Sequence, residues 1–154
     1  MLEELHFISL RNLFLIQSLD SQILIRNSNF SKLTETVGIL AQRGSIFVEN
    51  SEINNFIFDF NTLSFMLVFL GNLTISNVIA RNSLDLNFYI ERGNRLKIKD
   101  CTFFNLSVSK LTRENLNFTY FYLRNSNLEL VNNSFQSIYQ TSGVAYLFVQ
   151  DKLE

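Results

Sequence analysis

The residues able to do covalent or metal chemistry are few and far apart. The chain of 154 residues has one histidine, His6, and one cysteine, Cys101. That excludes an internal disulfide and argues against multi-histidine or cysteine-rich zinc sites. His6 has no nucleophilic serine or cysteine set beside it in the sequence, so it reads as an ordinary residue rather than a general base. Cys101 follows Asp100 and reads as a small turn residue, not a reactive thiol. Glycoside hydrolysis needs two carboxylates facing one bond, and calcium needs several converging oxygens. The aspartates at 20, 59, 85, 100 and 151 share no common position. Arg43, Arg92 and Arg124 occupy similar polar turns and read as charged exposed corners; the other reading is a column that grips an anionic partner. No catalytic residue, no cofactor and no metal ligand is expected. The chemistry left is hydrogen bonding by amides, of which 19 asparagines supply an unusual number.

What positions those amides is a mostly uncharged, phenylalanine-rich chain. Hydrophobic residues make up 47%, Phe alone counts 16, and charged residues are only 18% with a net charge of −1. No basic excess exists to hold a phosphate backbone, so nucleic acid is not an expected partner. The opening "MLEELHFISL" starts with acids and lacks the basic end and small-residue cleavage site of a secretory leader. The longest uncharged run, residues 60–80, has an apolar heart of eight residues, "LSFMLVFL". A spanning helix needs about 20 mostly apolar residues, so this run reads as a buried strand and no membrane span is expected. Proline is absent and no glycine-rich linker divides the chain, which points to one domain over 1–154.

A repeat runs through that domain. "ILIRN" (23–27), "IFVEN" (46–50), "LTISN" (73–77), "LKIKD" (96–100) and "LELVN" (128–132) share the pattern apolar, any, apolar, any, Asn or Asp, counting Asn132 as the last amide. Three residues on stand Phe30, Ile53, Ala80, Phe103 and Phe135; six on stand Leu33, Phe56, Ser83, Leu106 and Ile138. The amide positions are 23, 27, 23 and 32 residues apart, which means coils of one solenoid with loops of different length. A second apolar run precedes each motif: "VGILA", "LSFMLVFL", "LDLNFYI", "FTYFYL" and "GVAYLFV". Period-two alternation in "LKIK" and "LTIS" argues for strands. The expected fold is all-β, a parallel β-helix of about five coils over 21–154. Residues 1–20 are expected to be an irregular first coil or cap, with Asn12 as a worn amide position. A leucine-rich-repeat solenoid is the alternative, although its Asn lies farther from the last strand Leu.

Stacked coils explain the amide column. The same turn position recurs about 4.7–4.9 Å above itself. Asn tolerates the left-handed conformation of a sharp corner, and its amide can donate to the carbonyl of the next one. Asn27, Asn50, Asn77, Asp100 and Asn132 are therefore expected to form a ladder, with Asp100 its weak rung because an ionised carboxylate accepts but cannot donate.

This Φ-x-Φ-x-Asn-x-x-Φ repeat resembles the right-handed parallel β-helix of the pectin-lyase-like superfamily. It is most similar to the Asn- and Phe-rich repeats of large protist surface proteins, best seen in "IRNSNF" (25–30) and "LVNNSF" (130–135). The resemblance covers about residues 20–154 and implies architecture rather than activity. Polysaccharide-processing members of the superfamily use clustered acids with Arg or Lys, and "RLKIK" (95–99) only faintly echoes their Arg-x-Lys.

Two features suggest association. The pre-motif strands are apolar on both faces, and Met66, Val68, Leu70, Leu147 and Val149 are expected to form an outward strip. Either the N-terminal segment or a partner chain would cover it. The final "VQDKLE" stops in mid-repeat, where the next strand would begin, so a longer solenoid or an abutting protein is expected. Sequons at Asn29, Asn72, Asn105, Asn117 and Asn132 permit glycans and favour an extracellular or cell-surface location. The expected function is a non-enzymatic structural or adhesion module, a rigid section whose partner is a protein or a neighbouring solenoid section. The alternative is a carbohydrate-binding or polysaccharide-processing β-helix whose catalytic part lies outside this section.

Overall fold

The computed structural model describes residues 2–3, 6–8, 14–34, 37–57, 66–84, 86, 88–93, 95–108, 121–140 and 147–150. These residues form strands and corners, with no helix among them. The first coil comprises β1 (Leu2–Glu3), β2 (His6–Ile8) and β3 (Phe14–Leu19). The second comprises β4 (Gln22–Arg26), β5 (Asn29–Ser31) and β6 (Val37–Gln42). The third comprises β7 (Ser45–Glu49), β8 (Glu52–Asn54) and β9 (Met66–Phe69). The fourth comprises β10 (Asn72–Ser76), β11 (Ile79–Leu84) and β12 (Phe88–Glu91). The fifth comprises β13 (Arg95–Lys99), β14 (Thr102–Val108) and β15 (Phe121–Arg124). The sixth comprises β16 (Asn127–Val131), β17 (Ser134–Gln140) and β18 (Leu147–Gln150).

Like strands of successive coils pair in parallel, giving three six-stranded sheets. Sheet A takes the first strand of each coil, sheet B the second and sheet C the third. The molecule is a parallel β-solenoid. The leucine-rich-repeat alternative does not form, because such a repeat contributes one strand and a helical segment, whereas each coil here contributes three strands.

The coil count is six rather than five. Where an irregular first coil or cap is expected over 1–20, the described segments take the place of a first coil: Leu2 pairs with Ile25, Phe7 with Phe30 and Phe14 with Val37, one pairing in each sheet. Asn12 lies outside the described residues. The alternation is faint there because "FISLRNLFLIQ" is apolar at too many positions to show a phase.

The repeat motif maps onto the coil directly. Its two apolar positions are the inner rows of sheet A: Ile23, Ile46, Leu73, Leu96 and Leu128, then Ile25, Val48, Ile75, Ile98 and Leu130. The residue three past the amide is the inner row of sheet B, where Phe30, Ile53, Ala80 and Phe103 are at most 1% exposed. Ile39, Met66 and Phe88, with Ala41, Val68, Ile90 and Leu123, close the interior from sheet C. Each such burial contributes roughly 1.5–3 kcal/mol before conformational entropy is subtracted.

Sharp corners make three short strands fit into one coil. Fifteen described non-glycine residues have positive φ, and they fall into three stacked columns. The first corner holds Asn27, Asn50, Asn77, Asp100 and Asn132. The second holds Lys32, Asn55, Asn82, Asn105 and Ser137. The third holds Asp20, Arg43, Leu70, Arg92 and Asn125. The second corner is a bend within sheet B, since Asn82, Asn105 and Ser137 sit inside β11, β14 and β17 and pairing continues past them. This bend, and the division of the pre-motif region into sheets B and C, go beyond the strand–turn–strand–turn reading of the sequence. Strands β5 and β8 have only three residues each, too few to display alternation.

Candidate functional site

The amide column sits at the first corner, where every member adopts a φ of 49–55°. The left-handed turn keeps the main-chain ladder unbroken. The N–H groups of Asn27, Asn50, Asn77 and Asp100 donate to the carbonyls of Glu49, Ser76, Lys99 and Val131 one coil on, at 3.0–3.2 Å. Between side chains, Asn77 Nδ2 donates to Asn50 Oδ1 at 2.7 Å. Asp100 instead faces Lys99, whose Nζ lies 3.4 Å from its carboxylate. Just inside this corner runs a row of small buried residues, Ser28, Ser51, Val78 and Cys101. Ser28 N–H donates to Ser51 Oγ at 3.1 Å, and Ser51 Oγ donates to the Glu49 carbonyl at 2.8 Å. Cys101 N–H donates to Asn133 Oδ1 at 3.0 Å. Burial pushes the Cys101 thiol above its ordinary pKa, with main-chain hydrogen bonds opposing. It is a buried structural thiol.

Amides also link coils at the second corner. Asn105 Nδ2 donates to Asn82 Oδ1 at 2.8 Å, and Asn82 Nδ2 to Asn54 Oδ1 at 3.3 Å. The signal was present in the sequence, since Asn55, Asn82 and Asn105 each lie five residues past a first-corner position.

Comparison with protein-family models, with curated proteins and with solved structures finds no match.

What the surfaces can do therefore rests on their own geometry. The outward strip has the opposite phase to the one expected. Met66 and Val68 are fully buried, in register with Ile39 and Ala41 of the inner rows. Leu70 is 54% exposed, but as a third-corner residue rather than part of a strand face. The side chains of Leu147 and Val149 lie outside the described residues. The opposite row of sheet C is Leu40, Leu67 and Tyr89, of which Leu67 is only 5% exposed, with the Phe69 and Tyr89 rings 5.9 Å apart. In "LSFMLVFL" both alternating sets are apolar, so either phase satisfied the pattern.

Most ion pairs among the described residues run across coils. Arg26 meets Glu49 at 2.9 Å, Arg81 meets Glu52 at 2.6 Å and Lys97 meets Glu129 at 2.9 Å, with Arg95 also on Glu129. Arg43 and Arg92 share the third-corner column, whereas Arg124 is one residue before it and meets Glu91 at 3.2 Å. Arg43 grips Asp20 through two hydrogen bonds of 2.5 and 2.6 Å, which hold that carboxyl below its ordinary pKa. Asp20 and Asp100 lie at different corners; the aspartates at 59, 85 and 151 lie outside the described residues. No group of three or more potential metal ligands occurs among the described residues. No described helix is long and apolar enough to cross a membrane.

Apolar residues reach solvent on sheet B and at one end of the stack. Ile79 and Phe104 on the outer face of sheet B are 48% and 41% exposed. In the sixth coil Leu128 and Ile138 pack against the core, while Leu130 is 45% and Phe135 47% exposed.

Proposed function

We propose that this chain is a non-enzymatic structural or interaction module, a stiff section of β-helix that associates through exposed apolar surface. The observation that carries this reading is the uniformity of the stack. Five consecutive coil-to-coil steps keep the same three-sheet register, and most ion pairs among the described residues join neighbouring coils. A cleft with converging acids would interrupt that regularity; cross-coil pairs reinforce it. The amides of the first corner act, in this reading, as a ladder that holds corners in register. The resemblance of the repeat to pectin-lyase-like β-helices and protist surface repeats supports a surface-exposed setting. So do sequons at Asn105 and Asn132, both on exposed corners.

The test is turnover. The chain is incubated with polygalacturonate, alginate and xylan, and new reducing ends and unsaturated uronates are measured. No product above a heat-denatured control is the expected outcome. Depolymerisation of any of them would overturn the non-enzymatic reading in favour of a polysaccharide-processing β-helix.

A further inference from the structure

The fold sorts the sequons into two pairs; Asn117 lies outside the described residues. Asn29 and Asn72 stand in strands, in β5 and β10, and both are half-buried. In register, Asn29 is flanked by His6 and Glu52, and Asn72 by Ser45 and Arg95. The Oδ1 atom of Asn29 is shut off from solvent. Asn72 Nδ2 lies 3.4 Å from Ser45 Oγ, beside a hollow at the third corner that Arg43 and Gly71 also line. Asn105 and Asn132 instead occupy the second and first corners, with φ of 50° and 51°, and both are exposed. Each has a serine two residues on, Ser107 and Ser134. The other asparagines at these positions in their columns, Asn27, Asn50, Asn77, Asn55 and Asn82, have none there, so the hydroxyl is no part of the corner geometry.

We infer that Asn105 and Asn132 are N-glycosylation sites and that Asn29 and Asn72 are not. The inference rests on the reading of the chain as a surface module and names a modification of that surface. In the transfer, asparagine Nδ2 forms a bond to C1 of a sugar. The bond between that C1 and a phosphate oxygen of a lipid-linked diphosphate donor breaks, and one Nδ2 proton goes to base. The second Nδ2 hydrogen stays, so a modified Asn105 keeps a donor for Asn82 Oδ1, 2.8 Å away in the free amide. Beside it, Phe104 is 41% exposed, and its ring gives the apolar face of the first sugar a platform. A glycan there shields Phe104 and leaves Ile79, in the coil before, open to a protein partner. At Asn29 the sugar would sit next to an enclosed Oδ1, and at Asn72 it would displace the Ser45 contact. A chain modified at either strand position does not close its sheets.

The experiment sends the whole chain, behind a cleavable leader, through the secretory pathway of cultured eukaryotic cells. Glycopeptide mass spectrometry then reads each sequon in the folded, secreted protein. Asn105 and Asn132 are expected to be occupied in nearly every chain, and Asn29 and Asn72 in none. Ser107→Ala and Ser134→Ala keep the corner asparagines; each removes one glycan and leaves the circular dichroism spectrum unchanged. A bare Asn105 or Asn132 in the secreted protein overturns the inference, and so does a glycan on Asn29 or Asn72. Should the chain stay in the cells, the same peptides are read from the membrane fraction. Occupancy of both corners with bare strand positions upholds the inference there, and any other pattern overturns it. None of these results touches the turnover assay, which alone decides whether the module is non-enzymatic.

Discussion

The first and third corners solve one geometric problem with opposite chemistry. Each stacks five left-handed residues among the described coils, and the first four of each column pass their N–H to a carbonyl of the next coil. At the first corner the residue type supplies the conformation: four asparagines and one aspartate, the side chains that enter this region most readily after glycine. At the third corner stand Asp20, Arg43, Leu70, Arg92 and Asn125, three of which gain nothing there. What compensates is the next residue. Gly44, Gly71 and Gly93 stack so closely that an added Cβ would overlap main-chain atoms of the coil before, and Ser21 and Ser126 stand at the two ends of the column. A corner can be specified by the residue that bends or by the space left beside it.

The largest effect should come from filling that space. Gly71→Ala would push a methyl group into the Gly44 carbonyl, and backbone cannot step aside as a side chain would. A loss of about 3 kcal/mol in urea unfolding is expected, at the top of the usual overpacking range. A variant as stable as the parent would show that the third corner is not held by close approach.

At the first corner, Asn77→Ala should cost about 2 kcal/mol, combining left-handed strain with loss of the Asn50 hydrogen bond. Asn77→Gly separates the two. Glycine removes the strain, so its remaining deficit of about 1 kcal/mol measures the amide bond. Equal losses in both variants would mean that conformation contributes nothing.

Leu70→Asn should act in the other direction. The side chain is 54% exposed, so little burial is lost, and relief of a left-handed leucine should stabilise by about 1 kcal/mol. Destabilisation by the same amount would reveal that the third corner depends on Leu70 itself.

The smallest effect is the Asp20–Arg43 pair, which bridges two third-corner residues. Asp20 has a lowered folded pKa, so the pair contributes fully above the ordinary carboxylate range and fades as the pH falls through that lowered value. The melting temperatures of the parent and Asp20→Asn should differ slightly at pH 6 and coincide in strong acid. A gap that widened on acidification would contradict that assignment.

Much of this architecture was legible because one strand announces itself. "LTIS" and "LKIK" alternate cleanly, and a constant amide two residues past the last apolar position marks both the coil and its first corner. The second corner was half legible in Asn55, Asn82 and Asn105, yet Lys32 and Ser137 hold the same conformation and obscure the column. The third carried only its glycines, which look like ordinary turn residues until they are found stacked.

The sequence by itself determined the period, the inner rows of sheets A and B, and the first-corner conformation, because each depends on local side-chain type. Only the tertiary structure decided the phase of sheet C, where Met66 and Val68 join the core cluster and Leu67 does not, since a strand apolar on both faces has no preferred phase until it pairs. The same holds at the third corner. A left-handed leucine costs about 1–2 kcal/mol on its own, and it persists because strand pairing on both sides of the corner fixes the turn regardless of what occupies it.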